Sequence, residues 1–143
     1  MSESTVPGSS PELERLSEAL GGEFEFIRPL GQGTTSQVYL AREKALGRLV
    51  AVKVLSRAQA ADGTARKRFE REARAAANLS EQADIVAVHR FGLLPDDTPY
   101  LVMHYVKGRT MEERLAAEGP LPLQQARTVL VQVASALAAA HAE

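Results

Sequence analysis

Residues 30–41, LGQGTTSQVYLA, place two glycines, Gly31 and Gly33, between segments that alternate in the manner of β-strands. Glycine lets a backbone approach a phosphate group closely, because no side chain intervenes and the N–H groups can point at the anion. The same stretch also fits an ordinary hairpin turn that contains glycine. The residues around it therefore have to distinguish a nucleotide site from a simple turn.

The residues after the glycines exclude two other nucleotide-binding patterns. A dinucleotide-binding fold requires a helix to begin at the loop and an acidic residue about 20 positions later. Here the chain continues as the strand-like QVYLA instead of a helix. About 20 positions after the loop, where the acidic residue is required, residues 50–53 read VAVK. A P-loop requires GK followed by Ser or Thr, which is missing.

The third predicted strand carries a lysine inside an apolar run. Lys53 lies in VAVKVL, and a cation on a sheet is costly unless an anion compensates it. Glu72, in the helical segment FEREARAA, offers a carboxylate, and a bound phosphate would offer a second anion. This interpretation predicts an ion pair between Lys53 and Glu72. The alternative is that Lys53 lies on an edge strand and extends its amine to water.

The remaining periodicity predicts an α+β fold with a five-stranded antiparallel sheet. Residues 23–55 form a three-strand meander, and the turn residues 95–98 join a second hairpin. Strong helix formers over residues 64–79 predict one helix on the sheet. A short and a long helix come next within residues 107–143.

Length and composition favour one soluble domain. The chain has 143 residues, of which 45% are hydrophobic. Its net charge is −1, so the overall charge gives no electrostatic attraction for nucleic acid. It lacks cysteine, and we assign no metal ligands. Residues 1–10 predict a disordered tail and residues 11–22 a helix. No segment has the pattern of a signal peptide or a membrane span, so we expect a cytoplasmic location.

Five segments together resemble a known family. In this order, LGQGTTSQVYLARE, VAVKVL, FEREA, YLVMHYVKG and LPLQQARTVLVQVASALAAAH are similar to the protein kinases, most of all the bacterial serine/threonine kinases of eukaryotic type. The resemblance covers residues 23–143. It implies a kinase N-lobe with an ATP-binding sheet and helix over residues 23–106, then the hinge exit and the start of the C-lobe over residues 107–143.

The resemblance also implies roles for individual residues. Lys53 would contact the α and β phosphates of ATP, and Glu72 would hold that lysine. Val38 and Ala51 would enclose adenine; the alternative for these two and for Met103 is plain core packing, and both roles can hold together. Met103 would be the gatekeeper residue. The residues expected at ATP are Leu30, Gly31, Gly33, Ser36, Val38, Ala51, Lys53, Met103, His104 and Val106, the last two through hinge backbone groups.

Ser36 stands where the family pattern has its third glycine. We expect ATP binding to survive this difference, because the chain already returns to a strand at that point. Ser36→Gly should change the affinity for nucleotide by less than tenfold, which is about 1.4 kcal/mol.

The family's HRD and DFG motifs do not occur in the sequence. They supply the catalytic aspartate and the Mg²⁺ ligands, so we expect a truncated, catalytically incomplete part of a kinase whose protein substrate is unknown, with the Mg²⁺ ligands beyond residue 143. The apolar helix surface over residues 121–140 predicts self-association. The alternative is a kinase-like lobe that serves as an interaction module, although a pure scaffold need not keep both Lys53 and Glu72.

Overall fold

The computed structural model describes residues 10–142, so nearly all of the predicted tail lies outside the described residues. The predicted α+β class and the five-stranded antiparallel sheet are confirmed, and the strands lie in the order β1-β2-β3-β5-β4. The elements are α1 (Pro11–Leu20), β1 (Phe24–Gln32), β2 (Ser36–Glu43), β3 (Arg48–Leu55), α2 (Arg57–Ala60), α3 (Gly63–Asn78), β4 (Val88–Leu93), β5 (Pro99–His104), α4 (Met111–Glu118) and α5 (Leu123–His141).

Helix α1 begins and ends where its sequence dictates. The Ser10 hydroxyl accepts a hydrogen bond from the backbone N–H of Leu13 at 3.3 Å, and Pro11 occupies the first turn. The helix ends at Leu20, two residues before the end of the predicted segment, because two glycines come next. Its apolar stripe places Leu16 and Leu20 in the core.

The sheet has two faces of different character, because successive side chains of a strand point in opposite directions. The outer face, as we call it, packs against α1, and the inner face packs against α3. On β3, Val52 and its alternate neighbours belong to the outer core, while Lys53 and Leu55 belong to the inner face. The outer core consists of Leu16, Leu20, Phe24, Tyr39, Ala41, Val50, Val52, Val54, Leu94, Tyr100 and Val102.

The inner face is covered by α3, which begins at Asp62. The Asp62 carboxylate accepts a hydrogen bond from the N–H of Thr64 at 2.8 Å. Phe69 and Ala73 are the buried residues of the helix, and they pack against Leu55 and Leu101 of the sheet. Two buried helical side chains therefore hold α3 on this face.

Helix α1 is also fastened to the turn between β4 and β5. Arg15 forms ion pairs with Glu12 and Asp96 and donates a hydrogen bond to the hydroxyl of Thr98 at 2.9 Å. Asp97 adopts the left-handed conformation with φ of 63°, a conformation that aspartate tolerates in tight turns. The predicted turn at residues 95–98 is thus present, and Arg15 of α1 stabilises it through Asp96 and Thr98.

The last two helices contribute little to the core. In α4 the Thr110 and Glu113 side chains cap each other's backbone N–H groups. No residue described in α5 is buried, and Gln132 reaches Asp84 at 3.4 Å. The large apolar side chains exposed on α5 are Leu123, Leu130, Val131, Val133 and Leu137. None of the helices in residues 10–142 has the length and apolar content needed to cross a membrane.

Candidate functional site

The glycine stretch forms the hairpin between β1 and β2. Gln32 pairs with Gln37 across it, and the Gly33 N–H donates a hydrogen bond to the Ser36 carbonyl at 2.8 Å. The register shifts between Pro29 and Gly31, which leaves Leu30 as the extra residue of a bulge. A turn and a nucleotide loop were alternatives in the sequence, and this geometry is compatible with both.

The packing of the protein does not explain why Gly31 and Gly33 are glycines. Neither has a positive φ. A Cβ atom built on Gly31 would meet no atom within 4 Å, and one on Gly33 would lie 3.5 Å from the Ser36 carbonyl, an ordinary contact. The space beside Gly31 is therefore open to a group from outside the chain, while Gly33 lies in ordinary contact with Ser36.

Lys53 and Glu72 line one cavity between the sheet and α3. Its volume is about 40 Å³. Its walls are Thr35, Ser36, Lys53, Leu55, Gln59, Ala65, Arg68, Phe69 and Glu72. The cavity therefore brings together the lysine, the acid and one end of the glycine hairpin.

The predicted ion pair, however, is not formed. Within residues 10–142 no ion pair joins Lys53 to Glu72. The Lys53 Nζ lies 5.7 Å from the centroid of the Phe69 ring, a cation–π arrangement that offsets part of the cost of burying the charge. Glu72 is exposed to solvent, where such a pair gains little.

The alternative for Lys53, a position on an edge strand, is wrong. Its strand, β3, lies between β2 and β5 in the sheet. The side chain is half-buried and turned towards α3. A cation in the middle of a sheet, without a carboxylate partner, remains an unusual feature that calls for an anion.

The predicted adenine residues share the inner face with Lys53. Val38 pairs directly with Lys53, and Ala51 pairs with Met103 across β3 and β5. Paired residues of an antiparallel sheet project to the same side, so these apolar side chains form a strip beside the lysine. Ala51 is buried, and Val38 and Met103 are half-buried.

The predicted hinge begins at His104, the last residue of β5. The N–H of His104 donates a hydrogen bond to the Ala87 carbonyl at 2.9 Å, which removes this N–H from any contact with adenine. The His104 ring stands edge-on to the His89 ring at 6.2 Å. Burial, followed by the charges of Arg48 and His104, lowers the pKa of His89 from its ordinary value. Val106 is 62% exposed.

Two of the predicted ATP residues differ in their surroundings. Ser36 is buried and lines the cavity that contains Lys53. Leu30 instead lines a separate groove of about 420 Å³, together with Ser10 and Tyr39. The structure thus brings Ser36 to the lysine but does not bring Leu30 there.

Six cavity residues were not among the predicted site residues, and the polar ones of these are Thr35, Gln59 and Arg68. Gln59 lies on α2, which periodicity did not reveal because the helix has only four residues. Ser56 before RAQA, the N-cap position, was the available signal. Arg68 lies four residues before Glu72, and this spacing places the two on one helix face.

The described residues do not form a site for a divalent cation. Among residues 10–142 no group of three or more His, Asp or Glu side chains is placed to hold a metal ion.

Comparison with known proteins agrees with this geometry. The family model of the protein kinase domain matches residues 24–143. The chain is 37% identical over 126 residues to the serine/threonine-protein kinase PrkC of Bacillus subtilis, covering 88% of this chain and 19% of that protein. It is 40% identical over 125 residues to PknB of Mycobacterium leprae, covering 85% of this chain and 20% of PknB.

A solved structure supports the fold in three dimensions. The PknI kinase domain of Mycobacterium tuberculosis superposes with a TM-score of 0.69 at 35% identity, over 83% of this chain and 47% of that one. The chain belongs to the protein kinase family, among the bacterial serine/threonine kinases of eukaryotic type. It spans about half of the PknI domain and about a fifth of PrkC and PknB.

Proposed function

We propose that residues 23–106 bind ATP and that the chain is the nucleotide-binding part of a serine/threonine protein kinase. The observation that carries the proposal is the position of Lys53. It projects from a central strand into a cavity bordered by the glycine hairpin, and no carboxylate pairs with it within residues 10–142. A phosphate group would supply the missing negative charge.

The triphosphate would lie under the glycine hairpin, against the inner face. The cavity of about 40 Å³ is far below the roughly 300 Å³ or more of a site for an organic ligand, so nucleotide would extend beyond it along the sheet. Gly31 and Gly33 would allow the backbone to approach the phosphates. The open space at Gly31 supports this arrangement.

Adenine would lie on the strip formed by Val38, Ala51 and Met103. The polar edge of its ring would face the backbone of the hinge. Apolar side chains suit its faces, whereas backbone groups suit its polar edge. Since the His104 N–H is bonded to Ala87, we assign the hinge contacts to other backbone groups of His104 and Val106.

Glu72 would orient Lys53 when nucleotide is bound. The two side chains line one cavity, so a small movement of α3 towards the sheet would bring them into contact. In the family this pair fixes the lysine on the α and β phosphates. The proposed role of Glu72 is therefore positioning.

The whole protein would transfer the γ-phosphoryl group of ATP to Ser or Thr of a protein. The 143 residues contain neither HRD nor DFG, so they offer no residue for the roles of the catalytic aspartate and the Mg²⁺ ligands. We propose that they bind nucleotide without transferring phosphate. Mg²⁺ would neutralise phosphate charge, and no side chain of residues 10–142 is assigned to it.

Isothermal calorimetry with ATP on the 143-residue chain tests this proposal. Lys53→Met should weaken binding at least tenfold, because it removes a charge-assisted contact. Lys44→Met is the matched control, since Lys44 is an exposed lysine on the turn between β2 and β3. Absence of ATP binding by the unmodified chain, or equal losses for the two variants, would contradict the proposal and favour an interaction module.

The exposed apolar side chains of α5 support a further proposal, self-association through residues 121–140. Five large apolar side chains of this helix are exposed. Light scattering across a range of concentrations tests it. The mass should rise with concentration, and the double substitution of Leu130 and Leu137 by Gln should abolish the rise. A monomer at all concentrations would contradict it.

A further inference from the structure

Arg68 shares the cavity of Lys53 and Glu72. It lies four residues before Glu72 on α3, so the two side chains occupy one helix face, a turn apart. Lys53 approaches the same cavity from the sheet. Glu72 therefore shares one cavity with a lysine from the sheet and an arginine from its own helix.

The charges around this cavity do not balance. Arg68 and Lys53 are two cations, while Glu72 is the single carboxylate among the residues of its wall. The other polar side chains of that wall, Thr35, Ser36 and Gln59, are neutral. One carboxylate thus faces two cations, and the described part of the chain contains no ion pair of Glu72 with either.

The other charges near the middle of α3 point elsewhere. Glu70 and Arg74 line a different groove, next to Arg90 and Phe91 of β4. They do not line the cavity of Lys53, so they do not replace Arg68 or Glu72 there. Among the charged residues of α3, Arg68 and Glu72 alone form the wall of that cavity.

We propose that Arg68 is a positioning residue that competes with Lys53 for Glu72. Both cations line the same cavity as this carboxylate, and an arginine binds a carboxylate with a planar fork of donors that a lysine lacks. Arg68 therefore lowers the fraction of time in which Glu72 holds Lys53. This inference rests on the proposed function, in which the Lys53–Glu72 pair prepares the lysine for phosphate.

The reactivity of the Lys53 amine tests the competition without any nucleotide. Acetic anhydride acylates neutral amines, and an ammonium group paired with a carboxylate gives up its proton less readily. The acylation rate of Lys53 is measured by mass spectrometry on the 143-residue chain, with the exposed Lys107 as the internal reference. Arg68→Gln should slow Lys53 about threefold, the size of one partly exposed ion pair.

A double-mutant cycle separates competition from a direct effect of charge. In a chain that already carries Glu72→Gln, adding Arg68→Gln should change the Lys53 rate by less than about 1.5-fold, because the shared carboxylate is gone. Arg74→Gln is the matched control, with the same loss of charge on the same helix but outside the cavity. It should also change the rate by less than about 1.5-fold.

Three results would overturn the proposal. These are an unchanged or faster Lys53 rate in Arg68→Gln, an equal slowing in the presence of Glu72→Gln, and an equal slowing by Arg74→Gln. Arg68 is exposed, so the substitution removes no core contact, and Arg68→Lys, which keeps the charge, should stay closer to the unmodified rate. Because no nucleotide is present, this result is independent of whether the chain binds ATP.

Discussion

The two faces of the sheet are built differently. The outer face is sealed by α1, whose Leu16 is fully buried among ten other core residues and whose Arg15 is tied to the β4–β5 turn. The inner face is held by only two buried side chains of α3, and beside them it keeps a lysine, an arginine and a carboxylate around a cavity. One face is organised for stability and the other leaves charges available for a ligand.

The contrast would allow a small lobe to bind the proposed charged ligand without losing its fold. Charged groups without close partners reduce stability, so they are tolerated only where other contacts are strong. Here those contacts lie on the opposite side of the same strands, because alternate residues of β3 serve the two faces. Substitutions on the two faces should therefore have opposite consequences for stability and for binding.

The largest effect on stability is expected at the outer face. Leu16→Ala should lower the free energy of unfolding by about 3 kcal/mol, since it removes a fully buried leucine and leaves a cavity under α1. Urea denaturation measures it. Leu123→Ala is the control, because Leu123 is 87% exposed and its loss should cost less than about 0.5 kcal/mol. Similar losses of unfolding free energy for the two variants would contradict the idea that the outer face carries most of the stability.

Two strand glycines offer a second comparison. A Cβ on Gly92 would lie 2.5 Å from ring atoms of the buried Tyr100, whereas a Cβ on Gly31 would meet nothing within 4 Å. Gly92→Ala should cost about 2 kcal/mol of unfolding free energy through overpacking. Gly31→Ala should stay within about 0.5 kcal/mol and instead weaken ATP binding. Denaturation and calorimetry on the same samples would show whether stability and binding separate.

The smallest effects on the free energy of unfolding are expected for two carboxylates, Asp96 beside α1 and Glu72 on the inner face. Partial burial alone would raise the pKa of Asp96, but hydrogen bonds from Thr98 and Arg15 outweigh it and hold that pKa at about 2. Since the folded value lies below the ordinary 3.8, Asp96 stabilises the fold above about pH 4 and loses this contribution as the pH falls towards 2.

Asp96→Asn should therefore cost less than about 1 kcal/mol at pH 7, because the side chain is 48% exposed and solvent screens the pair. Urea unfolding at several pH values should show the difference from the unmodified chain shrinking between pH 4 and pH 2. Glu72→Gln should change the stability at pH 7 by less than about 0.5 kcal/mol. A difference for Asp96→Asn that is constant with pH would contradict the assigned cause.

Local patterns in the sequence predicted most of the fold. Alternation indicated the strands, the Ser10 cap and the two glycines indicated the limits of α1, and PDDT indicated the turn of the second hairpin. Each of these features is decided by residues close together in the chain. Helix α2 was missed because four residues show no helical period.

The finer features of the site depend on distances between elements, which the sequence does not specify. The sequence indicated Lys53 on a strand and Glu72 on a helix that covers the sheet, but whether the two side chains meet depends on how closely that helix approaches the sheet. The contact of Arg15 with Asp96 joins residues 81 positions apart, and no local pattern signals it. The roles of the individual ATP residues remain predictions.

Helix α1 has a practical consequence for work with this kinase lobe. The match to the family model begins at residue 24, whereas Leu16 and Leu20, which belong to the outer core, come before that residue in the chain. A recombinant domain cut at residue 24 would expose Tyr39 and Tyr100 to water and would tend to aggregate. A recombinant lobe that resists aggregation should therefore begin at or before Ser10, whose hydroxyl caps α1.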